Sequence, residues 1–135
     1  MDDTLVVLGG WNVSELSSRL KFSQDQENAE KRKWPRYPID VALRASVNSG
    51  GTTKAIYGSG IEVSKGGIKA VLPAEIAIGE WVDIELTLPY CSQALALSTI
   101  VRNRSSFTYG LEFVGITTEQ QTEIERACRL LSILQ

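Results

Sequence analysis

Hydrophobic and polar residues alternate after Pro38: Ile39, Val41, Leu43, Ala45 and Val47 interleave with Asp40, Ala42, Arg44 and Ser46. A period of two sends successive side chains to opposite faces, so this stretch is a predicted strand with one buried face. "NSGGTT" then supplies a turn. Five further segments read as strands: "AIYGSGIEVS", "GIKAVLP", "EWVDIELTLP", "LALSTIVRN" and "FTYGLEFVG", each bounded by Gly, Pro, Ser or Asn. Six short strands at this spacing predict an antiparallel barrel or sandwich.

The period changes in "TTEQQTEIERACRLLSIL". Ile124, Ala127, Cys128, Leu131 and Leu134 fall on one face of a predicted helix, behind a Thr-rich start with Glu and Gln in its first turn. Such a stripe is stabilised by burial, so the helix is expected to close the domain by packing on the strands; the other use for it is dimerisation.

Ahead of Ile39 the chain is less patterned. Leu5 to Leu8 form a short apolar patch, and Asn12 with Glu15 is arranged to cap a short helix. "SQDQENAEKRK" is polar and aperiodic, a linker or solvated extension. The expected organisation is an N-terminal extension over residues 1–30 and one domain over 31–135, and 135 residues suit one core rather than two.

Composition narrows the function classes. The net charge of -2 excludes a generally basic, nucleic-acid-like surface, so any anion affinity must be local. The chain has no histidine, which removes the commonest general base and metal ligand and weighs against an enzyme. Cys91 and Cys128 lack paired spacing and are expected as buried free thiols. No apolar run reaches membrane-span length, and "TLVVLGGW" is too short and too acid-flanked for a signal peptide, so a cytoplasmic protein is expected.

Two stretches carry chemistry. "KRKWPRYP", residues 31–38, packs four positive charges beside two prolines. Trp34 and Tyr37 each precede a proline, which favours an extended chain and sets Arg32 and Arg36 at most about 13 Å apart. Taken alone, the run reads as a solvated basic linker. As half of a site, it offers two guanidinium forks that grip phosphate bidentately and can donate to guanine O6 and N7. The second stretch, "GSGIEVSKGG", alternates so that Ile61 and Val63 face the core while Glu62 and Ser64 face out. Gly66 and Gly67 follow, allowing positive φ and close approach of a ligand to backbone amides. An ordinary hairpin turn would also account for these glycines.

Together these residues resemble the PilZ domain, the bacterial receptor for cyclic di-GMP. Arg32 to Arg36 matches its R-x-x-x-R motif, and "EVSKGG" is similar to its [D/N]-x-S-x-x-G motif about thirty residues later. "STIVRNRSSFTYGLEF" followed by "ITTEQQTEIERA" is similar to its late strand pair and closing helix. The resemblance covers about residues 31–132. It implies a six-stranded antiparallel β-barrel of the split-barrel kind with a C-terminal helix, and no enzyme activity or cofactor. It further implies that Arg32 and Arg36 hold guanine and phosphate from the arm, that Ser64 and Gly67 belong to the site, and that position 62 accepts from a guanine edge. Glu62 departs from the usual Asp or Asn there, keeping an acceptor and adding a methylene.

Further contributors to consider are Lys31, Trp34, Gly66 and Arg102. Trp34 suits either stacking on a base or covering the barrel rim. Arg102 and Arg104 are expected on one strand face opposite Val101 and Asn103, adding positive field or serving as plain surface residues. The leading expectation is a cyclic di-GMP receptor whose arm closes over the ligand and signals to an unidentified protein partner. The other is an adaptor of the same fold that binds nucleotide weakly or not at all. A homodimer is compatible with both. A single-strand nucleic-acid binder would need a continuous basic groove with several aromatics, which the net negative charge and scattered aromatics do not supply.

Overall fold

The alternating pattern resolves as a barrel because every strand finds a neighbour on both sides. The computed structural model describes residues 33–135; the chain divides after Lys33, and Trp34–Gln135 forms a unit with its own core. Six strands, β1 (Tyr37–Ser49), β2 (Thr52–Val63), β3 (Gly67–Val71), β4 (Trp81–Leu86), β5 (Leu95–Ser105) and β6 (Thr108–Val114), precede one helix, α1 (Thr118–Leu134). They close antiparallel in the order β1-β2-β3-β6-β5-β4. Closure runs through four pairs, from Leu43 opposite Leu86 to Ser46 opposite Asp83.

β1 and β2 are longer than the short strands expected, at 13 and 12 residues. Their turn explains this: Gly50 (φ 60°) and Gly51 (φ 83°) make a tight two-residue connection in which Ser49 pairs directly with Thr52, so pairing runs to the tip.

A six-stranded barrel is narrow enough for side chains to fill. Leu43, Ala45, Ile84, Leu97, Val101 and Leu111 are among those that do so. Two polar groups are buried with their partners. Thr99 donates its hydroxyl to the Val82 carbonyl at 2.7 Å. The fully buried Tyr109 accepts from the Ile76 N–H at 3.0 Å and donates to the Ala74 carbonyl, pinning the β3–β4 connection to the barrel interior.

Helix α1 begins at the Thr-rich segment read from the sequence as its start, and a capping box closes it there. Thr117 Oγ1 accepts from Gln120 N at 3.1 Å, and Gln120 Oε1 accepts from Thr117 N at 3.0 Å. Gln120 also donates to the Ala96 carbonyl of β5 at 2.8 Å, fixing the start of the helix on the barrel. Ile124, Ala127, Cys128 and Leu131 are buried. Leu134 departs from the expected stripe: it is 58% exposed, and its neighbour Ile133 is exposed too. Both cysteines are free thiols, Cys128 buried and Cys91 half-buried, so the expectation of two buried thiols holds for one. Among the described residues, no helix is long and apolar enough to cross a membrane.

Candidate functional site

The site is created by an irregularity. Between Gly60 and Glu62 the pairing of β2 with β3 slips: Gly60 faces Ala70, Glu62 faces Lys69, and Ile61 is the extra residue. A bulge reverses the alternation that follows it. Gly60 and Val63 are therefore both buried, while Glu62 is turned outward beside Lys69. Ile61 is consequently only half-buried instead of sharing the core face with Val63. β1 carries a matching shift between Pro38 and Val41, where the arm enters the barrel.

Glu62 is the meeting point. Its Oε1 lies 3.6 Å from Arg36 Nη1 and 3.8 Å from Lys69 Nζ, with all three side chains partly exposed. One carboxylate oxygen thus sits between a cation from the arm and a cation from β3. Across the outer surface the row continues through register: Glu62 opposite Lys69, Lys69 opposite Gly110, Gly110 opposite Asn103. At roughly 4.8 Å per strand this row is about 14 Å wide. Gly110 leaves room for its neighbour there, since an added Cβ would lie 2.4 Å from the Asn103 side-chain oxygen and displace that side chain.

Ser64 does something other than stand beside Glu62 with a free hydroxyl. Its Oγ accepts from the N–H groups of Gly66 and Gly67, both at 3.2 Å, while Ser64 N donates to the Gly67 carbonyl at 2.9 Å. The hydroxyl organises the turn from within, as serines at turns often do. The two amides expected to meet a ligand are therefore already engaged. Neither glycine has positive φ. Both positions are crowded: a Cβ at Gly66 would lie 2.8 Å from Cδ1 of Trp34, a side-chain atom that can shift, and one at Gly67 would lie 2.3 Å from the Leu111 carbonyl oxygen, which is backbone. Trp34 thus covers the β2–β3 turn, with Lys65 Nζ 5.6 Å from its ring centroid and 39% of its surface exposed.

Of the residues singled out from sequence, Arg36, Glu62, Ser64, Gly66, Gly67 and Trp34 come together around this turn. Arg32 and Lys31 lie outside the described residues. Arg102 is exposed on β5 and paired with Glu112, the residue opposite Gly67. The expectation that Arg102 and Arg104 share a face is not met, because a shift between Val101 and Asn103 intervenes. Arg104 instead lies 5.3 Å over the Tyr109 ring and pairs with Glu75 at 3.6 Å. Trp81 lies on the outer face, 61% exposed.

Lys69 was not singled out from sequence. It lies between the buried Ile68 and Ala70 on β3, and the register sets it opposite Glu62. Among the described residues, no cluster of Cys, Asp or Glu is arranged to hold a metal ion.

Known proteins share this architecture. The Bacillus subtilis inhibitor of motility (MotI/DgrA) matches over 73% of this chain and 50% of its own, at 19% identity and a TM-score of 0.59, so this chain spans half the length of that protein. The PilZ domain of YcgR from Escherichia coli, solved with c-di-GMP, matches over 76% of this chain and 92% of its own, at 13% identity and a TM-score of 0.60. The PilZ domain of CeSA from a cellulose-synthesizing bacterium matches over 74% and 97%, at 19% identity and a TM-score of 0.54. At these identities the likeness is one of fold. No curated protein matches the chain. A family model described as PilZ domain matches residues 30–130, which takes in the whole barrel and most of α1, and the chain therefore belongs to the PilZ domain family.

Proposed function

We propose that this protein is a cyclic di-GMP receptor without enzymatic activity, in which ligand binding reorders the arm around residues 31–38 and the new surface signals to a protein partner. The observation that carries the reading is the meeting of Arg36 with Glu62 at the mouth of the β2–β3 turn, 3.6 Å apart. The arm arginine and the turn are far apart in sequence, and only a site using both explains why each resembles a ligand motif. Arg36, with Arg32 four residues before it, supplies guanidinium groups for phosphate and guanine. Ser64 and Gly67 shape the turn under the ligand, and Gly66 bears the Trp34 ring, an aromatic surface of the kind on which a base stacks. In this reading residues 1–30 are an extension that the arm repositions, the protein works in the cytoplasm, and it needs no cofactor. Arg102, held by Glu112, contributes at most field.

The structural likeness to a c-di-GMP-bound YcgR domain supports the reading at the level of fold. The test is calorimetric titration of the full chain with cyclic di-GMP, with GTP as control and Arg36→Ala as variant. Micromolar or tighter binding that the variant loses is the expected result; no heat and no thermal shift at high ligand refutes it. One observation favours the adaptor reading instead: the Arg36 guanidinium already has an anion beside it in Glu62. An adaptor would capture a protein partner equally well with and without cyclic di-GMP.

A further inference from the structure

Glu62 stands where the motif it resembles has a shorter side chain, and the added methylene brings its carboxylate to Arg36 and Lys69 together. We infer that Glu62 is the resident counter-anion of the ligand site and sets its affinity: its carboxylate holds the place of a ligand phosphate oxygen between Arg36 and Lys69, and the ligand binds by displacing it. The inference rests on the receptor reading above and assigns Lys69 to the site as a second phosphate-binding cation.

Three features of the geometry lead to it. Both cations approach the same oxygen, Oε1, at 3.6 and 3.8 Å. They therefore converge on a single anionic acceptor, and a non-bridging phosphate oxygen is an acceptor of the same kind for guanidinium and ammonium donors. A phosphodiester entering this gap while Glu62 remained would set two like charges side by side, each disfavouring the other. One of them has to leave. Finally, Glu62 is free to go: its side chain is 27% exposed, those of Arg36 and Lys69 are 36% and 35% exposed, and pairs this open to water are weak. Rotation about the Glu62 side chain takes the carboxylate into solvent without disturbing the barrel, because the bulge at Ile61 already turns it outward.

This role has the opposite sign to the one implied by the resemblance, in which position 62 accepts a hydrogen bond from a guanine edge. An acceptor for the ligand strengthens binding; a competitor for the ligand's cations weakens it.

The experiment is titration of the full chain with cyclic di-GMP at low and high salt for wild type, Glu62→Gln, Glu62→Asp and Lys69→Met, with the melting temperature of each ligand-free variant as the folding control. Glu62→Gln is expected to bind about tenfold more tightly than wild type, since a charged competitor for both cations is gone. Its affinity is expected to fall more steeply with salt, because the ligand then neutralises uncompensated cations instead of exchanging one anion for another. Glu62→Asp, too short to span both cations, is expected to shift the same way, and Lys69→Met to weaken binding about tenfold. A folded Glu62→Gln that binds no better than wild type, shows an unchanged salt slope, or is accompanied by a Lys69→Met variant of wild-type affinity overturns the exchange while leaving the receptor reading intact. Absence of binding by wild type and by both Glu62 variants overturns the receptor reading and this inference with it; binding by Glu62→Gln without binding by wild type overturns the receptor reading while supporting Glu62 as the anion that occupies the site.

Discussion

Replacing Ser64 by alanine removes one oxygen from the β2–β3 turn and so separates a structural role from a ligand-contacting one. In the ligand-free protein that oxygen accepts from two backbone N–H groups, those of Gly66 and Gly67, each at 3.2 Å. These are long bonds in a half-buried turn, so each belongs at the lower end of the usual net contribution, and their joint loss costs about 1–2 kcal/mol. For a domain of about 100 residues, 1 kcal/mol shifts the melting temperature by roughly 4–8 °C, which places the Ser64→Ala transition about 4–16 °C below wild type. The assay is thermal unfolding followed by circular dichroism, without nucleotide, with Ser64→Thr as the variant that keeps a hydroxyl and melts close to wild type. A Ser64→Ala protein that melts with wild type yet loses cyclic di-GMP binding would refute the reasoning, because the hydroxyl would then act on the ligand rather than on the turn.

Three further outcomes follow from the packing. Gly66→Ala places a methyl group 2.8 Å from Trp34 Cδ1, a side-chain atom that can yield; the fold is retained and the indole moves. In a Trp11→Phe/Trp81→Phe background the change registers as a red shift of Trp34 emission, and an unchanged spectrum would show that the ring does not rest on this glycine. Tyr109→Phe strips the Ile76 N–H and the Ala74 carbonyl of their buried partner, at a cost of about 1–3 kcal/mol, seen as a lower urea midpoint at unchanged slope; a wild-type midpoint would contradict it. Burial, then the nearby Glu123 carboxylate, pushes the Cys91 thiol above its ordinary range, and burial raises that of Cys128. Both are therefore neutral thiols at neutral pH. In the folded protein a thiol-specific reagent is expected to modify Cys91 slowly, faster as pH rises, and Cys128 only after unfolding; rapid labelling of Cys128 in the native state would refute its burial.

How much was legible in the sequence depended on the range of the interaction. The strand of Ile39 to Val47, the Gly50-Gly51 turn and the Thr-rich start of α1 all arise from contacts within a few residues, and each is found where its pattern put it. The arginine motif and "EVSKGG" were visible as a pair for the same reason, being short and contiguous. Leu134 shows the limit of periodicity: the heptad-like spacing puts it on the same stripe as Ile124, Cys128 and Leu131, yet it is 58% exposed. Arg102 and Arg104 show another, since one shifted register separates residues that alternation would keep together.

The amino-acid order therefore determined the local conformations, the alternation that makes one inner face, and the motif types. Tertiary structure decided which side chains meet. The bulge at Ile61 turns Glu62 toward Lys69, the β1–β2 pairing that sets Pro38 opposite Glu62 brings the arm's Arg36 to the same carboxylate, and the Leu111 carbonyl, rather than any positive φ, makes Gly67 necessary. Each of these depends on register between segments distant in sequence. A single-residue slip in pairing reverses the face of every side chain beyond it, and no pattern within one strand records where that slip occurs.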